Sequence, residues 1–171
     1  MQKSITKYLT LATVATLANL SSGLLAILAA SQHDYWLACI LLFVGAWFDI
    51  MDGYIAKHHG QATDFGAEMD SLADLVTFGV APMFIIMSYY NTNWLSVLTL
   101  LIPLCGALRL ARHNVNRVKT KDYFIGVPID TSCIVVPLLL FCVDNLLIVA
   151  FTIAILCWLY VSTLKVPRLF I

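Results

Sequence analysis

The sequence has 171 residues, 61% of them hydrophobic and 12% charged, with ten basic and ten acidic residues and a net charge of zero. An apolar share so far above the roughly 45–50% of soluble domains excludes an ordinary water-soluble fold and implies an integral membrane protein. The zero total says nothing about partners, which only the distribution of charge can indicate, and nothing in the sequence supports nucleic-acid binding. Cys39, Cys105, Cys133, Cys142 and Cys157 all fall in apolar segments without CxxC spacing, which reads as reduced packing residues.

In chain order, residues 1–8 carry Lys3 and Lys7 before a long apolar run and show no small-residue cleavage site. They are expected to lie along the headgroup surface rather than to form a cleaved signal. The first span covers about residues 9–30 and contains Asn19 and Ser22, three apart on one helical face. Polar residues in such a place commonly hydrogen-bond between membrane helices. The second span, about 35–56, carries Asp49, Asp52 and Gly53 in its last two turns. A turn-rich break follows, with Gly60 and Gly66 able to reverse the chain and His58 and His59 read as solvated. Thr63 is placed to cap the next helix.

The third span, about 69–90, carries Asp70 and Asp74, with Gly79 and Pro82 expected to bend it. A fourth, about 94–112, ends on Arg109 and Arg112. The polar connection 113–128 includes the basic run Arg117, Lys119 and Lys121, a positive-inside anchor. A short fifth span, about 129–143, opens on Asp130 and Thr131 and contains Pro137; the sixth, about 146–164, is uniformly apolar. The expectation is an all-α integral membrane protein, one domain over 1–171, with six transmembrane helices and a polar site at the cytoplasmic end of the bundle. All ten Lys and Arg fall in residues 3–7, 57, 109–121 and 165–168, and none near the turns at Gln32, Asn91 and Asp144. By the positive-inside rule both termini and the acid cluster face the cytoplasm, in the cell membrane.

Four carboxylates in apolar sequence are the strongest functional signal, because a charge at membrane depth costs about 2.5–3.5 kcal/mol on insertion scales. Asp49 and Asp52 are three apart and Asp70 and Asp74 four apart, so each pair lies on one helical face, and the reversing break between them brings the pairs together. Hard oxygen donors without Cys or His beside them suit Mg²⁺, Mn²⁺ or Ca²⁺ rather than zinc or copper.

The spacing Asp49-x2-Asp52-Gly53-x2-Ala56-Lys57-x8-Gly66-x3-Asp70-x3-Asp74 resembles the signature of the CDP-alcohol phosphotransferases, membrane enzymes that join an alcohol to a CDP-linked phosphate. Seven of its eight fixed positions match. Lys57 stands where that pattern usually has Arg, which keeps the charge and loses the bidentate fork. The runs Asp70 to Pro82, Cys105 to Asn114 and Phe124 to Pro128 are similar to the phosphatidylserine synthase branch. Asp130 and Thr131 stand where that branch has proline and small residues.

The resemblance implies transfer of the phosphatidyl group of CDP-diacylglycerol to L-serine, giving phosphatidylserine and CMP. It implies two ions, Mg²⁺ or Mn²⁺, held by Asp49, Asp52, Asp70 and Asp74, with Asp74 also the general base. It assigns Asn19, Ser22, Asp52, Gly53, Ala56, Lys57, Thr63 and Gly66 to CDP-diacylglycerol, and Arg109, Arg112 and Asn114 to serine. A homodimer amid membrane lipid is likewise implied. The same chemistry with glycerol phosphate or inositol phosphate is the nearest alternative. A proton-coupled transporter would instead spread its acids through the membrane, and a scaffold would leave four carboxylates without a role.

Overall fold

The computed structural model describes residues 9–58, 63–116 and 123–167. The expected surface segment 1–8, His59 and the run Arg117, Lys119 and Lys121 lie outside the described residues. Helices α1 (Leu11–Ser31) and α2 (Tyr35–His58) form an antiparallel hairpin. His33 takes a left-handed backbone, φ 62°, to turn the chain, and Asp34 Oδ1 accepts a hydrogen bond from the Leu37 N–H at 3.0 Å to start α2. The buried face of α1 is built from small and polar residues, among them Ala15, Thr16, Asn19, Gly23 and Ala26. Spaced three and four apart, they form one stripe that lets neighbouring backbones approach closely. At Gly23 and at Gly45 of α2, an added Cβ would stand 2.5 and 2.6 Å from the side chain of Thr77.

The third span is one continuous helical stretch of 27 residues, Asp64–Tyr90. It comprises α3 (Asp64–Asp74), a π-helical segment (Leu75–Val80) and α4 (Ala81–Tyr90). It starts before the expected residue 69 because Thr63, in extended backbone, accepts the Gly66 N–H at 3.0 Å and so caps an additional turn. The bend expected at Gly79 and Pro82 takes the form of a widened helix, with the Ala81 N–H donating to the Val76 carbonyl. Pro82 has no N–H to give the carbonyl of Phe78 four residues earlier. Ser132 Oγ occupies that acceptor instead, at 2.8 Å.

Helices α5 (Asn93–Thr99) and α6 (Leu101–Asn116) carry the chain back, and a 3-10 turn (Ile129–Thr131) opens α7 (Ser132–Cys142), followed by α8 (Leu146–Val161). Four stretches, 11–31, 35–58, 64–90 and 93–115, are long and apolar enough to cross a membrane, while 129–142 and 146–161 are shorter. The all-α expectation needs one amendment: β1 (Tyr123–Ile125) pairs antiparallel with β2 (Lys165–Pro167). The connection after α6 thus runs beside the chain leaving α8. At the opposite end of the bundle Tyr35 donates to the Ser88 carbonyl and Ser88 to the Ala30 carbonyl, both at 3.1 Å, which fixes α4 against the first hairpin.

Candidate active site

Three reversals of direction bring the start of α1, the end of α2, the start of α3, the end of α6 and the 3-10 turn before α7 to one end of the bundle. Carboxylate oxygens of Asp49, Asp70 and Asp74 lie within 4.8 Å of one another there, each residue half-buried. Asp49 and Asp74 are in side-chain hydrogen-bonding range. Like charges so close require a proton or a cation between them.

Asp52 stands outside this trio. It is 6% exposed, accepts the Thr16 hydroxyl at 2.6 Å and is an electrostatic neighbour of Asp70. The sequence expectations do not include Thr16, although it lies one turn before Asn19 on the same stripe, which is the signal that points to it. Asn19 is fully buried and donates from Nδ2 to Asp74 Oδ1 at 3.1 Å. Its own carbonyl accepts from Thr77 at 3.0 Å and from Ser22 at 2.7 Å. Asn19 and Ser22, expected together against a nucleotide, therefore differ: Asn19 bonds an acid, and Ser22 bonds the helix backbone.

Gly53 is exposed, with nothing within 4 Å of the position a Cβ would take. Ala56 is half-buried and Lys57 exposed on the last turns of α2. Beyond them His58 stacks on Tyr54 at 3.9 Å and donates from Nδ1 to the Tyr54 carbonyl. Thr63 and Gly66 meet in the α3 cap. Gly53, which follows Asp52 directly, Lys57 and Thr63 are all exposed.

Of the three α6 residues expected together, Arg109 is an electrostatic partner of Asp130 and Asp74. Arg112 donates to the carbonyls of Val161 at 2.8 Å and Tyr160 at 3.0 Å, supplying donors to the last two carbonyls of α8. Asn114, about 140° around the helix from Arg109, donates to Ser71 Oγ at 3.0 Å and joins α6 to α3. Asp130 adds a fifth carboxylate to the neighbourhood. The described cysteines are all free.

A helical bundle with membrane-length apolar stretches and a carboxylate trio at one end defines a membrane protein with a centre suited to a hard divalent cation. The family model for CDP-alcohol phosphatidyltransferase matches residues 9–164, and the chain belongs to that family. It is 36% identical over 167 residues to a CDP-diacylglycerol–serine O-phosphatidyltransferase of Methanocaldococcus jannaschii, covering 96% of this chain and 77% of that protein. A protein of the same description from Bacillus subtilis is 36% identical over 156 residues, 90% of this chain and 87% of the relative. An archaetidylserine synthase of Methanothermobacter thermautotrophicus is 38% identical over 138 residues, 78% of this chain and 59% of that protein.

Proposed function

We propose that this chain, acting as one domain, transfers the phosphatidyl group of CDP-diacylglycerol to the hydroxyl of L-serine and releases CMP. The observation that carries the reading is the convergence of Asp49, Asp70 and Asp74 at one end of the bundle, in a chain that shares its family with serine-using relatives. The donor set fits a hard cation: three carboxylates from two helices approach within 4.8 Å, with no nitrogen or sulfur ligand among them. Asp49, Asp52, Asp70 and Asp74 would hold two Mg²⁺ or Mn²⁺ ions. When bound, these ions supply positive charge to the pyrophosphate and to the oxygen of departing CMP.

The protein's own side chains do the remainder. Asp74 accepts the proton of the serine hydroxyl as that oxygen bonds to the phosphatidyl phosphorus and the bond from phosphorus to the CMP oxygen breaks. Asn19 holds Asp74 in the orientation for that transfer by donating to its Oδ1. Gly53, Ala56, Lys57, Thr63 and Gly66 receive the CDP portion, and the open space beside Gly53 supports that role. Arg109 faces the acceptor; the hydrogen bonds of Arg112 and Asn114 support structural roles for those two. The positions of Lys and Arg in the sequence support a cytoplasmic orientation of both termini and the site. The resemblance adds a homodimer.

The test is incubation of purified protein with CDP-diacylglycerol and Mn²⁺ and, separately, labelled L-serine, glycerol phosphate or inositol phosphate. Labelled lipid is expected from serine alone. Lipid from a phosphorylated alcohol would overturn the acceptor, and no lipid from any of them would overturn the reaction.

A further inference from the structure

Asp130 lies in the 3-10 turn Ile129–Thr131, at the site end of α7. The turn is fixed on three sides. Ile129 Cδ1 fills the space beside Gly106, where an added Cβ would stand 2.5 Å from it. Tyr160 donates to the Ile129 carbonyl at 3.1 Å, and Ser132 to the Phe78 carbonyl at 2.8 Å. Gly106 precedes Arg109 by three residues and Phe78 follows Asp74 by four, so these contacts bring the turn to the faces that present Arg109 and Asp74. Asp130 is accordingly an electrostatic neighbour of Arg109, Asp74 and Asp49.

Arg109 is 7% exposed, and its Nε, buried, has no hydrogen-bond partner among the described residues. A buried arginine that served only structure would satisfy that donor, because leaving a buried charged donor unpaired is costly. A fifth acid beside four others is equally hard to explain as packing. Together Arg109 and Asp130 make a neutral couple with an unused donor, set beside the acids.

We propose that Arg109 and Asp130 form the subsite for the charged end of an amino-acid acceptor. Arg109 takes the α-carboxylate, using the open Nε, and Asp130 takes the α-ammonium, which leaves the hydroxymethyl group on the Asp74 side. This assignment rests on the reading of serine as the acceptor. A zwitterion placed in a neutral couple adds no net charge. A phosphorylated alcohol would bring about two negative charges into a place that already holds five carboxylates. Two charged contacts and the hydroxyl fix three points, so the subsite distinguishes the two enantiomers of serine.

The experiment uses the full chain with CDP-diacylglycerol and Mn²⁺, and reads the KM for labelled L-serine and the inhibition constants of ethanolamine, which lacks the carboxylate, and 3-hydroxypropionate, which lacks the ammonium. Asp130→Asn should weaken L-serine and ethanolamine about 10- to 100-fold, the value of one hydrogen bond to a charged group, and leave 3-hydroxypropionate within about twofold. Arg109→Gln should do the reverse, weakening L-serine and 3-hydroxypropionate and sparing ethanolamine. The KM for CDP-diacylglycerol reports that each variant is folded with its donor site intact; Asp130→Ser and Arg109→Lys, with the same compound-selective losses expected, serve if Asp130→Asn or Arg109→Gln fails to fold. Equal loss for all three compounds in either variant overturns the subsite while leaving serine as acceptor. Wild-type protein that makes no lipid from serine overturns the acceptor reading, and the subsite with it.

Discussion

Asn19, buried on α1, donates its side-chain amide to Asp74 Oδ1 across 3.1 Å, fifty-five residues away in sequence. That bond orients the carboxyl proposed to accept the serine proton, and it separates two possible duties of Asn19. If Asn19 acts through Asp74, Asn19→Ala should lower kcat about tenfold or more, the cost of a lost hydrogen bond to a charged group, with little change in KM for CDP-diacylglycerol. A raised KM at unchanged kcat would instead assign Asn19 to the nucleotide.

The carboxylates should divide in the same way. Asp74→Asn keeps the shape of the side chain and loses its basicity, so kcat is expected to fall about 10²- to 10⁴-fold, while Asp49→Asn and Asp70→Asn weaken donor binding together with turnover. Saturating Mn²⁺ is the control. Restoration of Asp74→Asn to near wild-type turnover would make Asp74 a ligand only.

Removal of divalent ions should abolish activity: EDTA is expected to stop lipid formation and added Mg²⁺ or Mn²⁺ to restore it, because the acids otherwise repel the donor's pyrophosphate. Full activity in chelator would sink the metal assignment for Asp49, Asp52, Asp70 and Asp74.

Two glycines should respond oppositely to alanine. At Gly23 the new Cβ would stand 2.7 Å from Thr77 Cα, a backbone atom that cannot swing away. Gly23→Ala should therefore destabilise by about 1–3 kcal/mol, read as earlier thermal unfolding in detergent. Gly53 has open space around it. Gly53→Ala should unfold no earlier, and a raised KM for CDP-diacylglycerol with unchanged stability would mark the face where the donor approaches.

Lys57, exposed at the end of α2, is expected to give a raised donor KM when changed to alanine and an equal or lower one when changed to arginine, whose fork matches phosphate oxygens. An unchanged KM in Lys57→Ala would remove it from the donor site.

The strongest sequence signals were local ones. Asp49, Asp70 and Asp74 could be brought together on paper because the helical period fixes their faces and a turn-rich break implies reversal. Thr63 as a cap followed from its type and its place before a helix. The basic residues were less legible, since Arg109, Arg112 and Asn114 share one stretch of sequence but point to different neighbours, and only packing decides which one meets the acids. Thr16 is legible only through its place one turn before Asn19, because the chemistry of a threonine on an apolar helix does not by itself name a carboxylate thirty-six residues on. Asp130 was visible as an unusual acid, yet its closeness to Arg109 depends on Ile129 filling the space left by Gly106. The widened helix at 75–80 needed a partner the local sequence lacks, the Ser132 hydroxyl that takes up the Phe78 carbonyl.

That widened segment has a consequence for sequence change. Each residue of an α-helix turns the chain by about 100° and advances it about 1.5 Å, and a π-bulge amounts to one residue more than the regular repeat requires. Deleting a single residue between Leu75 and Val80 would let the helix close into a uniform ladder while α3 and α4 keep their facings, because the widening is where the extra residue is taken up. Asp70 and Asp74 would stay turned towards Asp49. Loss of one residue from the regular helix between Asp70 and Asp74 would instead turn the two acids about 100° relative to one another and break the site, so the widened segment tolerates a change of length that α3 does not.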